Sequence, residues 1–123
     1  MRLSARSLSA LPASVIRPAY DRDHAAIGIV HLGVGAFHRA HQAAIIEECL
    51  TRGEKGWAIA GASLRSADTR DALAPQDNLY TLSVRSAAGE ALRIIGAIRE
   101  SHVGPENPAT LLARMAARET KIV

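Results

Sequence analysis

Two glycines, two residues apart, carry the clearest chemical signal in this chain: Gly33-Val34-Gly35-Ala36-Phe37-His38-Arg39-Ala40-His41-Gln42. A short apolar run precedes them and a helical pattern follows. Strand, glycine turn and helix, in that order, form the layout that binds a dinucleotide pyrophosphate. Gly33 would allow the tight turn leaving the strand. Gly35, lacking a side chain, would let the backbone approach the phosphates. The free N–H groups at the helix start, near Ala36 to Arg39, would donate to the anion. The third glycine of the usual Gly-x-Gly-x-x-Gly pattern is replaced by His38, whose side chain must point outward or push helix and strand apart. On spacing alone, a plain tight turn explains the same residues.

Other chemistry-bearing residues are sparse. An acid after the second strand normally hydrogen-bonds the adenosine ribose. The first acid after Leu64 is Asp68, further from the glycines than the usual spacing of about 20 residues. A helix cap is the alternative role, and the two are compatible. Arg65 and Arg70 flank Asp68 and could take a 2′-phosphate. His31, His38 and His41 invite a metal reading, but no carboxylate or cysteine completes a set at ligand spacing. No metal site is therefore expected. The lone Cys49 reads as packing on an apolar helical face.

Alternating strands and helices must position these residues. Ile27 to Leu32 reads as a strand buried on both faces, followed by a helix from about Phe37 to Thr51. That helix has Ala40, Ala44, Ile45 and Leu50 as its apolar face and a stop at Arg52-Gly53. Trp57 to Leu64 reads as a second buried strand. Ser66 to Ala74 reads as a short helix capped by Ser66 or Asp68. Leu79 to Arg85 and Leu92 to Ile98 form an antiparallel hairpin about Ala88-Gly89-Glu90. Asn107-Pro108 opens a helix to about Arg118 with Leu111, Leu112 and Met115 as its apolar face. A further strand begins at Thr120 to Val123. The expected class is α/β: a partial Rossmann-like nucleotide-binding domain with a mainly parallel sheet and an inserted antiparallel hairpin. Residues 1–20 form an irregular lead-in, and 21–123 an incomplete dinucleotide-binding domain.

Composition narrows the partners. With 123 residues, 48% hydrophobic and 22% charged, the chain is globular and at most one ordinary domain. Its apolar run from Ala25 to Phe37 is broken by His31 and glycines, well short of the roughly 20 residues that cross a bilayer. No membrane partner is expected. A net charge of +3 raises nucleic acid as a partner. Yet the basic residues are scattered among acids and only 3% of residues are aromatic, so no nucleic-acid surface is expected. The acid-free first twenty residues weakly resemble a transit peptide. A single cysteine fits a reducing compartment, and the cytoplasm is the expected location.

The segment Gly33 to Gln42 resembles the N-terminal signature of the mannitol dehydrogenase family, the long-chain polyol and sugar-acid dehydrogenases. That family carries Phe-His-Arg-Ala-His where a third glycine would stand, so His38 is expected there. Trp57-Ala-Ile-Ala-Gly with Leu64-Arg65, Gln76-Asp77-Asn78-Leu79-Tyr80-Thr81-Leu82, Ile94-Ile95-Gly96-Ala97-Ile98 and Lys121-Ile122-Val123 extend the likeness over nearly the whole chain. The resemblance implies cofactor binding by Gly33, Val34, Gly35, Ala36, Phe37, His38, Arg39 and Asp68. It places Asp68 near the ribose and so favours NAD. Ala67, where many members have a second acid, together with Arg65 and Arg70, keeps NADP open.

The same resemblance implies an N-terminal portion of an oxidoreductase that moves a hydride between a nicotinamide and a polyol such as mannitol, giving fructose. A hexuronate reductase such as fructuronate reductase shares every motif seen here. The pocket that would tell the two apart lies outside this chain. So does the family's catalytic lysine, which neither Lys55 nor Lys121 matches, and no catalytic residue is assigned. The reading from another class is a non-catalytic, truncated nucleotide-binding module.

Overall fold

The computed structural model describes residues 2–123. Its centre is β2 (Ala58–Ser63), flanked by β1 (Ile27–Leu32) and β5 (Ile98–Val103), all parallel and in the order β1-β2-β5. The side chains of β2 are small: Ala58, Ala60, Gly61 and Ala62, with Ile59 the one large residue. Small residues let other parts of the fold settle directly on this central strand. On the far edge of β1, Ile29 pairs in parallel with Ile122, and Val30 N–H donates to Ile122 C=O at 2.9 Å. The last residues thus lie beside β1 as the expected strand would.

The helix after β1 starts at Ala36, takes a π turn over His38–Gln42, and continues as α1 (Ala43–Thr51). Its end matches the expected stop. Gly53 has φ +95°, and Glu54 N–H donates to Cys49 C=O at 3.0 Å, closing a left-handed cap. The buried face differs from expectation: it is Ala43, Glu47 and Leu50, while Ile45 is 64% exposed. A carboxylate occupies a core position on this face, and hydrophobic periodicity assigns charged residues to solvent.

The hairpin forms a separate two-stranded sheet of β3 (Tyr80–Ser86) and β4 (Gly89–Ile95). The expected second strand ran to Ile98. In the structure the chain breaks at Gly96-Ala97 and starts the third parallel strand, β5, which the sequence pattern does not reveal. Its Glu100, Ser101 and His102 break the apolar run. Glu100 is matched instead by Arg114 of α3 (Pro108–Met115), whose Nε donates to it at 2.8 Å.

Helix α2 (Asp68–Leu73) has Ala67 at its N-cap and no side-chain cap bond, so neither Ser66 nor Asp68 caps it. By contrast Asn107 caps α3 as expected, accepting from Thr110 N–H at 3.1 Å. Leu111 is buried under α3 and Met115 packs on the core, but Leu112 is 62% exposed. The helix stops at Met115, short of Arg118.

Of the expected irregular lead-in over 1–20, Met1 lies outside the described residues, and residues 2–20 carry defined local structure. A 3-10 helix spans Ala5–Ala10, and Arg17 donates to the carbonyls of Leu11 and Pro12 at 3.1 and 2.8 Å. Ile16 then runs beside β4, donating to Leu92 C=O and accepting from Ile94 N–H. Long-range backbone bonds of this kind leave no periodic trace in the residues that make them.

On the central strand, a Cβ at Gly61 would lie 2.6 Å from Val34 Cγ2. Val34 is buried and β-branched, so it has little freedom to yield. Gly61→Ala is expected to cost about 1–3 kcal/mol by overpacking, read as a lower melting temperature. In a Val34→Ala background the same change should cost markedly less; equal costs in both backgrounds would mean that Val34 is not the constraint.

Candidate functional site

The C-terminal ends of the three parallel strands share one edge, where ligands of open α/β sheets bind. There Gly33 leaves β1 with φ +104°, a conformation that favours glycine, and its N–H donates to Ala62 C=O at 2.7 Å. Val34 turns inward against Gly61. Gly35 faces outward, and a Cβ built on it meets nothing within 4 Å. The first helical bond runs from Arg39 N–H to Gly35 C=O at 3.1 Å. The N–H groups of Ala36, Phe37 and His38 precede it, the set that a helix start leaves without intrahelical partners. Tyr80, buried at the start of β3, donates its hydroxyl to Arg39 C=O at 2.6 Å and holds this helix start to the hairpin.

The expected site residues divide by exposure. Gly35, Ala36 and Phe37 face solvent, with Phe37 72% exposed and tilted against His41 at a centroid distance of 4.5 Å. Arg39 is half-buried, its Nε 3.4 Å from Gly35 C=O. His38 is only 4% exposed and points inward, stacking on His31 at 3.7 Å between centroids. Its Nδ1 lies 2.9 Å from Gln42 Oε1, and burial holds its pKa below the ordinary 6.5. A buried imidazole is therefore how the fold accommodates the missing third glycine. Among the described residues, no group of three or more His, Cys, Asp or Glu is arranged to hold a metal ion.

At the end of β2, Asp68 is exposed on the first turn of α2 and takes part in no ion pair among the described residues. Arg70 is already engaged by Asp71 and Glu106, and these contacts raise its pKa. Arg65 stays exposed. Of the two arginines flanking Asp68, only Arg65 is free to face an added phosphate.

Two polar clusters escape sequence reasoning. Glu47, 1% exposed, accepts from Tyr20 Oη at 2.6 Å and from Gly96 N–H at 3.0 Å. Its placement at helical spacing between Ala43 and Leu50 is the one available signal. The segment Gln76-Asp77-Asn78 is a latch: Asp77 and Asn78 have φ near +55° and +61°. Asn78 there bonds Arg99 C=O and Ser101 Oγ of β5, while Asp77 accepts from Ala5 N–H. A cleft of about 420 Å³, lined by Tyr20, His24, Leu50 and Lys55 among others, lies at the opposite edge of the sheet and contains none of the expected site residues.

Residues 27–123 match the mannitol dehydrogenase Rossmann domain. The chain belongs to the mannitol dehydrogenase family. It is 42% identical to a mannitol 2-dehydrogenase of Pyrenophora tritici-repentis, across all of this chain and 22% of that protein. A mannitol 2-dehydrogenase of Aspergillus fumigatus is 44% identical, again across the whole chain and 26% of its own length. Among solved structures, Pseudomonas fluorescens mannitol 2-dehydrogenase in ternary complex with NAD and D-mannitol aligns with a TM-score of 0.91 at 37% identity, covering 98% of this chain and 25% of that one. A D-sorbitol dehydrogenase in substrate-free form aligns with a TM-score of 0.88 at 34% identity, over 99% and 26%. The chain spans about a quarter of the length of these relatives.

In this member of the mannitol dehydrogenase family, Glu47 is the buried group whose ionisation bears on the fold. Burial raises its pKa above the ordinary 4.5, against the opposing bonds from Tyr20 and Gly96. Stability from its neutral form is fully present below 4.5 and is lost as pH rises through the raised folded value. Glu47→Gln keeps an oxygen for both donors without the charge. The variant is expected to melt higher than the parent at pH 7, with the gap closing as pH falls toward about 4.5. A gap that does not change with pH would exclude ionisation as its cause.

Proposed function

We propose that this chain is the N-terminal, cofactor-holding part of an NAD-dependent oxidoreductase that transfers a hydride between the nicotinamide and a polyol such as mannitol, giving fructose. The observation that carries the reading is the backbone at Gly35. It faces outward at the C-terminal edge of the sheet, with open space where a Cβ would stand and, beside it, the N–H groups of Ala36 to His38 that precede the first helical bond. That is a cradle for a diphosphate. The Pseudomonas fluorescens relative, solved with NAD and D-mannitol, supports the cofactor and substrate class.

Within this segment the residues bind and orient. Gly33 turns the chain, Val34 seats the turn on the sheet, and Gly35, Ala36, Phe37, His38 and Arg39 present backbone N–H groups and one cation to the phosphates. Asp68 accepts from the adenosine ribose. Its free carboxylate, beside an Arg70 held by Glu106, favours NAD over NADP. When bound, the nicotinamide supplies the hydride chemistry. The residues that handle the alcohol proton belong to the rest of the enzyme. The one cysteine among these 123 residues and a small-molecule substrate support a cytoplasmic location.

Fluorescence titration with NADH tests the placement. Gly35→Val is expected to weaken NADH binding about tenfold or more, since a side chain there keeps the phosphates off the backbone. The melting temperature should hold, because nothing in the fold fills that space. Unchanged affinity in an intact fold would put the site elsewhere. Asp68→Ala should weaken NAD more than NADP; an equal loss of both would remove Asp68 from cofactor choice.

A further inference from the structure

We infer that His31, the penultimate residue of β1, is a positioning residue for cofactor binding: its imidazole fixes the peptide plane between Gly33 and Val34. The inference rests on the cofactor site proposed above and assigns that site a residue outside the glycine turn itself.

His31 Nδ1 lies 2.7 Å from Gly33 C=O. A carbonyl oxygen only accepts, so Nδ1 carries the proton and donates. The Gly33–Val34 peptide is planar and trans, with its C=O and N–H pointing in opposite directions. Holding the Gly33 oxygen on the imidazole therefore aims the Val34 N–H away from it. At φ +104° Gly33 has no Cβ to restrict its rotation, so this peptide is the part of the turn most in need of an outside anchor. The peptide before it is held by Gly33 N–H on Ala62 C=O at 2.7 Å, and Val34's side chain is held by Gly61. His31 supplies the remaining restraint.

His38 explains why His31 stays in place. Its ring lies against that of His31 at 3.7 Å with an interplanar angle of 24°, and its own Nδ1 is tied to Gln42 Oε1. The Nε2 of His38 is buried without a partner, so protonating that ring would bury a charge. The ring stays a neutral, flat wall. At the position where a third glycine would allow close helix–strand packing, a buried imidazole instead braces the residue that orients the turn.

Two variants of the full chain separate a donor from a filler. His31→Phe keeps a flat ring against His38 and removes the donor. His31→Asn places an amide donor near the Nδ1 position and removes the ring. By NADH titration, His31→Phe should bind about fivefold to tenfold more weakly than the parent, the loss of one oriented hydrogen bond. His31→Asn should stay within about twofold of the parent, even if its melting temperature falls. Parent-like affinity for His31→Phe would overturn the inference, as would equal losses in both variants that track their melting temperatures. A parent chain that fails to bind NADH would overturn the proposed site and this inference with it; binding by the parent with an unaffected Phe variant would overturn this inference alone.

Discussion

Close approach at the centre of the sheet governs the rest of the structure. Strand β2 offers Ala58, Ala60, Gly61 and Ala62 to its neighbours, and at Gly61 the absent side chain is occupied by Val34. Through that contact the turn after β1 is seated on the strand beside it. A larger residue at Gly61 would lift the turn, and with it the helix start that follows. The turn's direction, the exposure of Gly35 and the inward pointing of His38 all depend on Val34 staying where it is. Packing of this kind is stiff because a buried β-branched side chain has few rotamers to retreat into.

A second constraint ties the periphery to the same frame. Glu47 accepts from Tyr20 in the lead-in and from Gly96 between the two sheets. Arg22 donates to the carbonyls of Gly96, Asp77 and Ile98. One buried carboxylate and one partly buried guanidinium thus collect the Tyr20 hydroxyl from the lead-in and backbone groups from Asp77, the hairpin junction and the start of β5. Charges in such places are costly alone and tolerable only when every polar partner is supplied. These contacts explain how an inserted hairpin can interrupt a parallel sheet while the strands on either side stay in register.

The local frame of the candidate site is legible in the sequence. The order apolar strand, Gly33, Gly35, helix marks a strand, a tight turn and a helix start, and the structure has Gly33 at φ +104° in that turn. Asn107-Pro108 marked its helix start correctly for the same local reason. Where reading failed, the deciding contacts were distant in sequence. Periodicity places Ile45 on the apolar face and leaves Glu47 off it, since it ranks residues by polarity and cannot see Tyr20 and Gly96 waiting for a carboxylate. Strand β5 was missed because Glu100 finds its partner in Arg114. Asp68 was read as a possible cap, yet Ala67 holds that position and leaves the carboxylate free.

The sequence by itself determined the class of fold, the strand–turn–helix unit and the family signature from Gly33 to Gln42. Those features arise from backbone conformation and local periodicity, which neighbouring residues dictate. Only the tertiary structure decided which histidine faces which. His31 and His38 sit seven positions apart on a strand and a helix, and nothing in that spacing stacks their rings. Their contact, the bond from His31 to Gly33 and the freedom of Asp68 beside a paired Arg70 come from how strands and helices pack across the sheet. Side-chain partners chosen across that distance depend on the three-dimensional arrangement of the whole domain, which no local pattern encodes.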